Sequence, residues 1–186
     1  VYVGDKADGT HQLWLRRLTS EVDQAIAGTE GAKTPFWSPD SQWIGFFTGN
    51  DLRKVHVSSG ITQIVASNVA TIGGATWSVN DAIVFPATIA GLSRVSAQGG
   101  VVSAVTTGER SGHFWPQFVG DGTHFIYAAT SSISIDLGSL AGEAPRTLMK
   151  SPVRLSSLAY VPGYVLFVQN GAMFARPFDD TRLEFS

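Results

Sequence analysis

The segment Thr107–Trp115 holds the side chains best suited to ligand chemistry. Glu109, Arg110, His113 and Trp115 all fall within it. An arginine pairs with anions through its planar fork, a histidine titrates near neutral pH, and a tryptophan offers a flat amphipathic surface. This combination predicts a loop that recognises a ligand.

The same four residues also have a purely structural interpretation. His113 and Trp115 would then pack between neighbouring elements of the fold. Glu109 and Arg110 would form an ion pair in solvent, where such pairs contribute little to stability. The sequence alone leaves both interpretations open.

Nucleophilic catalysis would need a serine or cysteine, a base and an orienting acid. The chain has no cysteine and four histidines, of which His113 alone lies in this segment. A hydrolase that uses Ser111 and His113 is therefore the alternative hypothesis. The sequence has no G-x-S-x-G motif, so we predict no catalytic residues and favour a non-catalytic binding module.

Metal and cofactor chemistry is not indicated by the sequence. No two histidines lie at the i, i+2 or i, i+4 spacing that would direct them to one ion, and Asp179-Asp180 stands without further ligands nearby. The pairs Asp8-Gly9 and Asp121-Gly122 lack the spaced acidic residues of a calcium loop and are typical of turns. We expect neither a metal nor a cofactor.

Composition restricts the partners. The net charge is −2, and no basic run exists to bind nucleic acid. No stretch approaches the ~18 apolar residues of a membrane span, so we expect no membrane insertion. The hydrophobic fraction of 44% supports a sizeable core. A protein, a peptide or a small-molecule ligand is the expected partner.

The elements that must position these residues follow from a repeat. Trp37-Ser38, in the hairpin pattern of Thr34–Phe47, recurs as Trp77-Ser78, and the aromatic position recurs at Phe118 and Tyr160. A period of about 40 residues with four strands is the signature of a β-propeller blade. We predict an all-β propeller of about five four-stranded blades in one domain, residues 1–186. The predicted blades are 1–28 (partial), 34–66, 74–106, 115–150 and 157–186.

The strands of this repeat are apolar at successive positions, as in Ile44–Phe47 and Val165–Val168. Such runs predict strands that are buried on both faces. In a propeller, the loops that lead into the inner strands converge around the channel. These loops add Glu30, Lys33 and Arg154 to the predicted ligand-binding residues Glu109, Arg110, His113 and Trp115.

The repeat also carries a family resemblance. The segment WSPDSQWIGFF resembles the TolB-type, WD-like propeller repeat, and GGATWSVNDAIVFPA, HFWPQFVGDGTHFIYAA and PGYVLFVQNGAMFARPFD resemble propeller regions of bacterial multidomain Ser/Thr kinases. The chain has no kinase motif of its own. The resemblance implies a bacterial binding or interaction module, with an extracytoplasmic position where the propeller is attached to a membrane kinase. The compartment itself stays open.

The ends of the repeat predict an incomplete ring. The chain starts at Val1 without an initiator methionine, as expected for a piece of a longer protein. We count 18 or 19 strands, with the inner strand absent from the first blade. An open ring would expose apolar sheet faces at the first and last blades. We therefore expect either a compact five-bladed ring or a homodimer in which the end blades cover each other.

Overall fold

Five antiparallel sheets make up the fold in a computed structural model that describes residues 1–6, 8–107, 112–130 and 133–186. One sheet has three strands and each of the others has four. Nineteen strands are found within the described ranges. They are β1 Tyr2–Asp5, β2 His11–Arg16, β3 Asp23–Ala25, β4 Lys33–Trp37, β5 Trp43–Thr48, β6 Asp51–His56, β7 Thr62–Ser67, β8 Thr76–Trp77, β9 Ala82–Pro86, β10 Leu92–Ser96, β11 Ser103–Thr106, β12 His113–Phe118, β13 His124–Ala129, β14 Ser134–Ser139, β15 Arg146–Lys150, β16 Leu155–Val161, β17 Tyr164–Gln169, β18 Ala172–Asp179 and β19 Glu184–Phe185.

Each sheet is one propeller blade built from consecutive strands. The blades are β1–β3, β4–β7, β8–β11, β12–β15 and β16–β19, and every strand pairs with its neighbours in sequence. In the first blade, the Leu13 amide of β2 donates to Oγ1 of Thr29, as the Leu92 amide of the third strand β10 donates to Oγ1 of Thr106. β2 therefore corresponds to a third strand, and the strand that the first blade lacks is the inner one. The predicted all-β, five-bladed propeller with an incomplete first blade is confirmed. No described helix is long and apolar enough to cross a membrane.

Burial on both sheet faces explains the apolar runs in the sequence. Phe46 and Phe47 are adjacent in β5 and both are fully buried. Phe46 packs with Leu13 of the first blade, whereas Phe47 packs with Phe85 of the third. Successive side chains of a strand point to opposite faces, so each face of the second blade is covered by a different neighbour.

A glycine inside the second blade makes room for an aromatic ring. A Cβ atom placed on Gly45 would overlap Cζ of Phe36. Phe36 lies on the inner strand and packs edge-on against Trp77 of the next blade, with ring centroids 6.4 Å apart. Because Gly45 has no side chain, the ring of Phe36 fits over β5 and contacts Trp77 of the third blade.

The fifth blade differs from the second, third and fourth blades in one respect. Leu52, Leu92, Ile135 and Met173 occupy equivalent register positions in the third strands of their blades. The first three are completely buried, whereas Met173 is 73% exposed. Among the described residues, no hydrogen bond, ion pair or ring contact joins the first blade to the fifth. One apolar face of the fifth blade is thus uncovered within this chain.

This difference predicts unequal costs for the same truncation. Leu92→Ala should lower the free energy of unfolding by about 2–5 kcal/mol, because it leaves a cavity between blades. Met173→Ala should change it by less than about 0.5 kcal/mol in the monomer, because the side chain is already in water. Urea unfolding at low protein concentration measures both values. Equal losses for the two variants would contradict the uncovered face.

The uncovered blade face also carries the expectation of self-association. Exposed apolar sheet faces of this kind bind a second surface, so we predict a concentration-dependent mass in light scattering at micromolar protein. Met173→Asp should shift that mass towards the monomer, while Ile89→Asp, at a loop position that is 92% exposed, should not. A mass that stays monomeric at all concentrations would refute the homodimer.

Candidate functional site

The inner strands begin at one end of the central channel, which we call the mouth face, and turn at the opposite end, the turn face. At the mouth face, the loops that lead into the inner strands are hydrogen-bonded to strands of adjacent blades. The Gly31 amide donates to the His11 carbonyl at 2.7 Å, and the Trp115 amide donates to the Gly73 carbonyl at 2.6 Å. These bonds give the mouth face a fixed shape. The predicted residues Glu109, Arg110 and Ser111 lie outside the described residues.

Trp115 is held in an unusual backbone conformation at this face. Its φ angle is +50°, a left-handed value that few bulky residues adopt. The hydrogen bond to Gly73 and the packing of its ring on Phe114, with centroids 5.8 Å apart, support this conformation. The indole is half-buried and lines both the central channel and a neighbouring depression. It therefore presents a rigid aromatic surface at the mouth.

Trp115 shares that depression with Arg154, another of the predicted residues. The depression has a volume of about 300 Å³ and lies between the third, fourth and fifth blades. Ile72 at its edge is 66% exposed, and Arg154 is exposed as well. Within the described part of the chain, Arg154 has no ion-pair or hydrogen-bond partner. The structure thus places an aromatic surface, an exposed aliphatic side chain and an unpaired cation side by side.

The central channel is lined mainly by residues of the inner strands. The space of about 480 Å³ is bordered by Trp37, Trp77 and Trp115, together with Thr76 and Gln117. No carboxylate belongs to its described lining. The channel therefore offers stacking surfaces and neutral polar groups.

His113 is buried between the third and fourth blades and lines neither the channel nor the depression. Its side chain is 7% exposed, its Nδ1 lies 2.8 Å from Oγ1 of Thr106, and its ring packs on Tyr127 with centroids 4.6 Å apart. Burial lowers the pKa of the imidazole, and the Asp136 carboxylate opposes only part of this effect. The imidazole belongs to the packing of the blade in this structure. Its role in ligand binding stays a prediction.

Glu30 and Lys33 lie on the side of the mouth face that is formed by the first two blades. The Glu30 carboxylate accepts a hydrogen bond from Lys6 Nζ at 3.0 Å. A backbone hydrogen bond and then Lys6 lower the pKa of Glu30. Lys33 is exposed at the start of β4, without an ion pair to any described residue. Neither residue lines the depression of Trp115 and Arg154.

One cavity was not expected from the sequence. It lies at the turn face between the second and third blades and has a volume of about 440 Å³. Lys54 reaches it from the middle of β6 and is only 3% exposed. The only sequence signal was a lysine next to apolar residues in a strand. Among the described residues, no group of histidines and carboxylates could hold a metal ion.

Comparison with known proteins identifies the fold and nothing finer. No family model and no curated sequence match the chain. TolB from Acinetobacter baumannii is similar in structure, with a TM-score of 0.74 and 14% identity over 95% of this chain and 48% of that one. An oligogalacturonate lyase in complex with manganese has a TM-score of 0.72 and 16% identity, over 96% of this chain and 59% of that one. A nidogen/laminin complex has a TM-score of 0.70 and 8% identity, over 95% of this chain and 75% of that one. The chain spans about half to three-fifths of the first two proteins. Its structural neighbours are thus TolB-like β-propellers, as the resemblance in sequence implied.

The burial of His113 predicts a pH dependence of stability. Because the folded pKa lies below the usual value of about 6.5, the unfolded chain binds the proton more readily, and stability should fall as the pH drops below about 6.5. Each unit of pKa difference is worth about 1.4 kcal/mol. Urea unfolding measures this effect. Between pH 7.5 and pH 5, the free energy of unfolding should therefore fall by less in His113→Gln than in the wild type.

His124 provides a control of opposite sign. Burial alone would lower the pKa of His124, but hydrogen bonds to Asp121 and Glu143 raise it. Its contribution to stability is full below about pH 6.5 and is lost as the pH rises through the folded pKa. Between pH 7.5 and pH 5, the free energy of unfolding should therefore fall by more in His124→Gln than in the wild type. The same change of slope in both variants would contradict these assignments.

Proposed function

We propose that this chain is a non-catalytic binding module that recognises a protein or peptide partner at its mouth face. The observation that carries the proposal is the depression in which Ile72, Trp115 and Arg154 lie together. Exposed aromatic and arginine side chains contribute most of the energy at many protein interfaces. The TolB-like fold supports a binding or interaction module at the coarse level.

The chemistry of the depression defines a partner. Its volume of about 300 Å³ accommodates one large apolar side chain, which would lie between Ile72 and the ring of Trp115. A carboxylate next to that side chain would pair with Arg154, which lacks a partner among the described residues. A peptide segment with an apolar residue beside an acidic residue, or beside its own C-terminal carboxylate, meets both requirements.

The other predicted residues take secondary places in this proposal. Glu109 and Arg110 precede His113 in the loop that leads to Trp115 and would add charges near the peptide. Glu30 and Lys33 would contact a partner that covers the wider mouth face. His113 would act indirectly, since it is buried behind the surface. The alternative, a hydrolase that uses Ser111 and His113, stays a prediction, since Ser111 lies outside the described residues.

A displayed library of random peptides tests the proposal directly. Selection on the wild-type chain should enrich peptides with an apolar residue beside a carboxylate. Arg154→Glu and Ile72→Asp should each weaken the binding of an enriched synthetic peptide at least tenfold, about 1.4 kcal/mol. Both side chains are exposed, so these variants should keep the fold.

Two control variants separate this site from other surfaces. Arg182→Ala removes a largely exposed arginine near the turn face and should leave binding unchanged. Trp37→Ala alters the channel away from the depression. Failure to enrich any peptide, or loss of binding in Trp37→Ala alone, would refute the site at Ile72 and Arg154.

A further inference from the structure

Lys54 is a buried cation in an aromatic environment, at the end of the propeller opposite the mouth face. Its Nζ lies 4.6 Å from the ring centroid of Trp43 and 5.9 Å from that of Trp77. Trp43 belongs to the same blade as Lys54, whereas Trp77 belongs to the next one. The ammonium group therefore sits in the gap between two blades.

The hydrogen-bonding capacity of this ammonium group is mostly unused. An ammonium has three donors. Within the described ranges, its one acceptor is Oε1 of Gln98 at 3.5 Å, and no carboxylate lies within 4.0 Å of Nζ. Burial lowers the pKa of Lys54, and Asp81 acts against this effect at longer range. A buried charge without an opposite charge beside it is costly, so an anion brought by a ligand would be stabilised here.

The cavity in front of Lys54 is large enough for such a ligand. Its volume of about 440 Å³ falls within the usual range of small-molecule sites. The two indoles supply apolar walls, and Ser38, Ser78 and Gln98 supply neutral polar groups. A flat ring would therefore find a stacking surface close to the cation.

Two carboxylates at the rim limit the ligand further. Asp40 already accepts hydrogen bonds from Ser38 and from the Gln42 amide. Asp81 accepts only long ones, at 3.4 and 3.5 Å, from Gln98 and Ser96. Both side chains repel negative charge at the rim, so a ligand carboxylate has to lie at Lys54, and Asp81 can accept a hydrogen bond from a hydroxyl group. The rim therefore selects against dianions.

We propose that this cavity binds a small ring compound with a single carboxylate, whose carboxylate pairs with Lys54 and whose ring lies against Trp77. The ring belongs either to a sugar acid, whose hydroxyl groups would donate to Asp81, or to an aromatic acid. Both share the same chemistry, a monocarboxylate on a ring. The site is separate from the peptide depression and does not depend on it.

Titration of the wild-type chain with glucuronate and with phenylacetate tests this proposal. Calorimetry and the intrinsic tryptophan fluorescence, to which Trp43 and Trp77 contribute, should report saturable binding of at least one acid. Glucose and 2-phenylethanol, the uncharged analogues, should bind at least tenfold more weakly. Binding of glucuronate identifies the sugar-acid source, and binding of phenylacetate identifies the aromatic one.

Two variants locate the binding at Lys54. Lys54→Met keeps an unbranched side chain without the charge and should reduce affinity at least tenfold. Gln98→Glu, at an exposed position that contacts Nζ, introduces a carboxylate that competes with the ligand and should have the same effect without disturbing the core. Lys33→Met, at the mouth face, is the control and should bind as the wild type does.

The proposal has clear contrary outcomes. It is overturned if neither acid binds, if the uncharged analogues bind equally well, or if Gln98→Glu retains the wild-type affinity. Thermal unfolding of each variant shows whether the fold is kept. If Lys54→Met does not fold, Gln98→Glu decides alone.

Discussion

Packing of one blade on the next is the interaction on which this structure depends. A strand that is apolar at successive positions cannot leave either face in water, and β5 shows this most clearly. Phe46 is covered by the first blade and Phe47 by the third, and both are fully buried. No single sheet of this composition could bury its own faces, so the blades stabilise each other.

The same packing creates the places where ligands could bind. The inner strands do not meet at the axis of the propeller, and the space between them is the central channel. Where two neighbouring blades do not pack tightly, a gap is left between their sheets. Trp77 shows how closely core and surface are linked. It is 9% exposed and belongs to the core between the second and third blades, yet the residue lines both the channel and the cavity of Lys54. Residues that hold the blades together thus also form the walls of candidate sites.

Much of the fold could be predicted from the sequence because the blade repeat is local. The recurrence of Trp37-Ser38 as Trp77-Ser78, with turn residues between apolar runs, indicates the strands and their order. The strand count predicts exposed sheet faces at the first and last blades if the ring is open. That Met173 lies on such a face could not be predicted, because its strand has the same apolar pattern as the buried ones. Exposure depends on whether a neighbouring sheet is present, and a repeat pattern does not contain that information.

The candidate sites show a similar division. That Trp115 and Arg154 lie at the same end of the channel follows from the geometry of any propeller, whereas their common depression depends on the course of individual loops. The packing of His113 on Tyr127 was one of two open interpretations. The cavity of Lys54 had no signal of its own, because Trp43, Trp77 and Gln98 come from two blades and meet only after the sheets have packed.

The confinement of strand pairing to single blades has a consequence for how such a protein changes over time. Among the described strands, each ladder joins neighbours in sequence, and adjacent blades are joined instead by isolated hydrogen bonds, such as Gly31 to His11, Trp115 to Gly73 and Phe118 to Thr76. Duplication or deletion of a stretch of about 40 residues would therefore leave the ladders of all other blades intact. Only the angle between adjacent sheets would have to adjust. The number of blades can therefore change during evolution without a change in the strand pairing of any remaining blade.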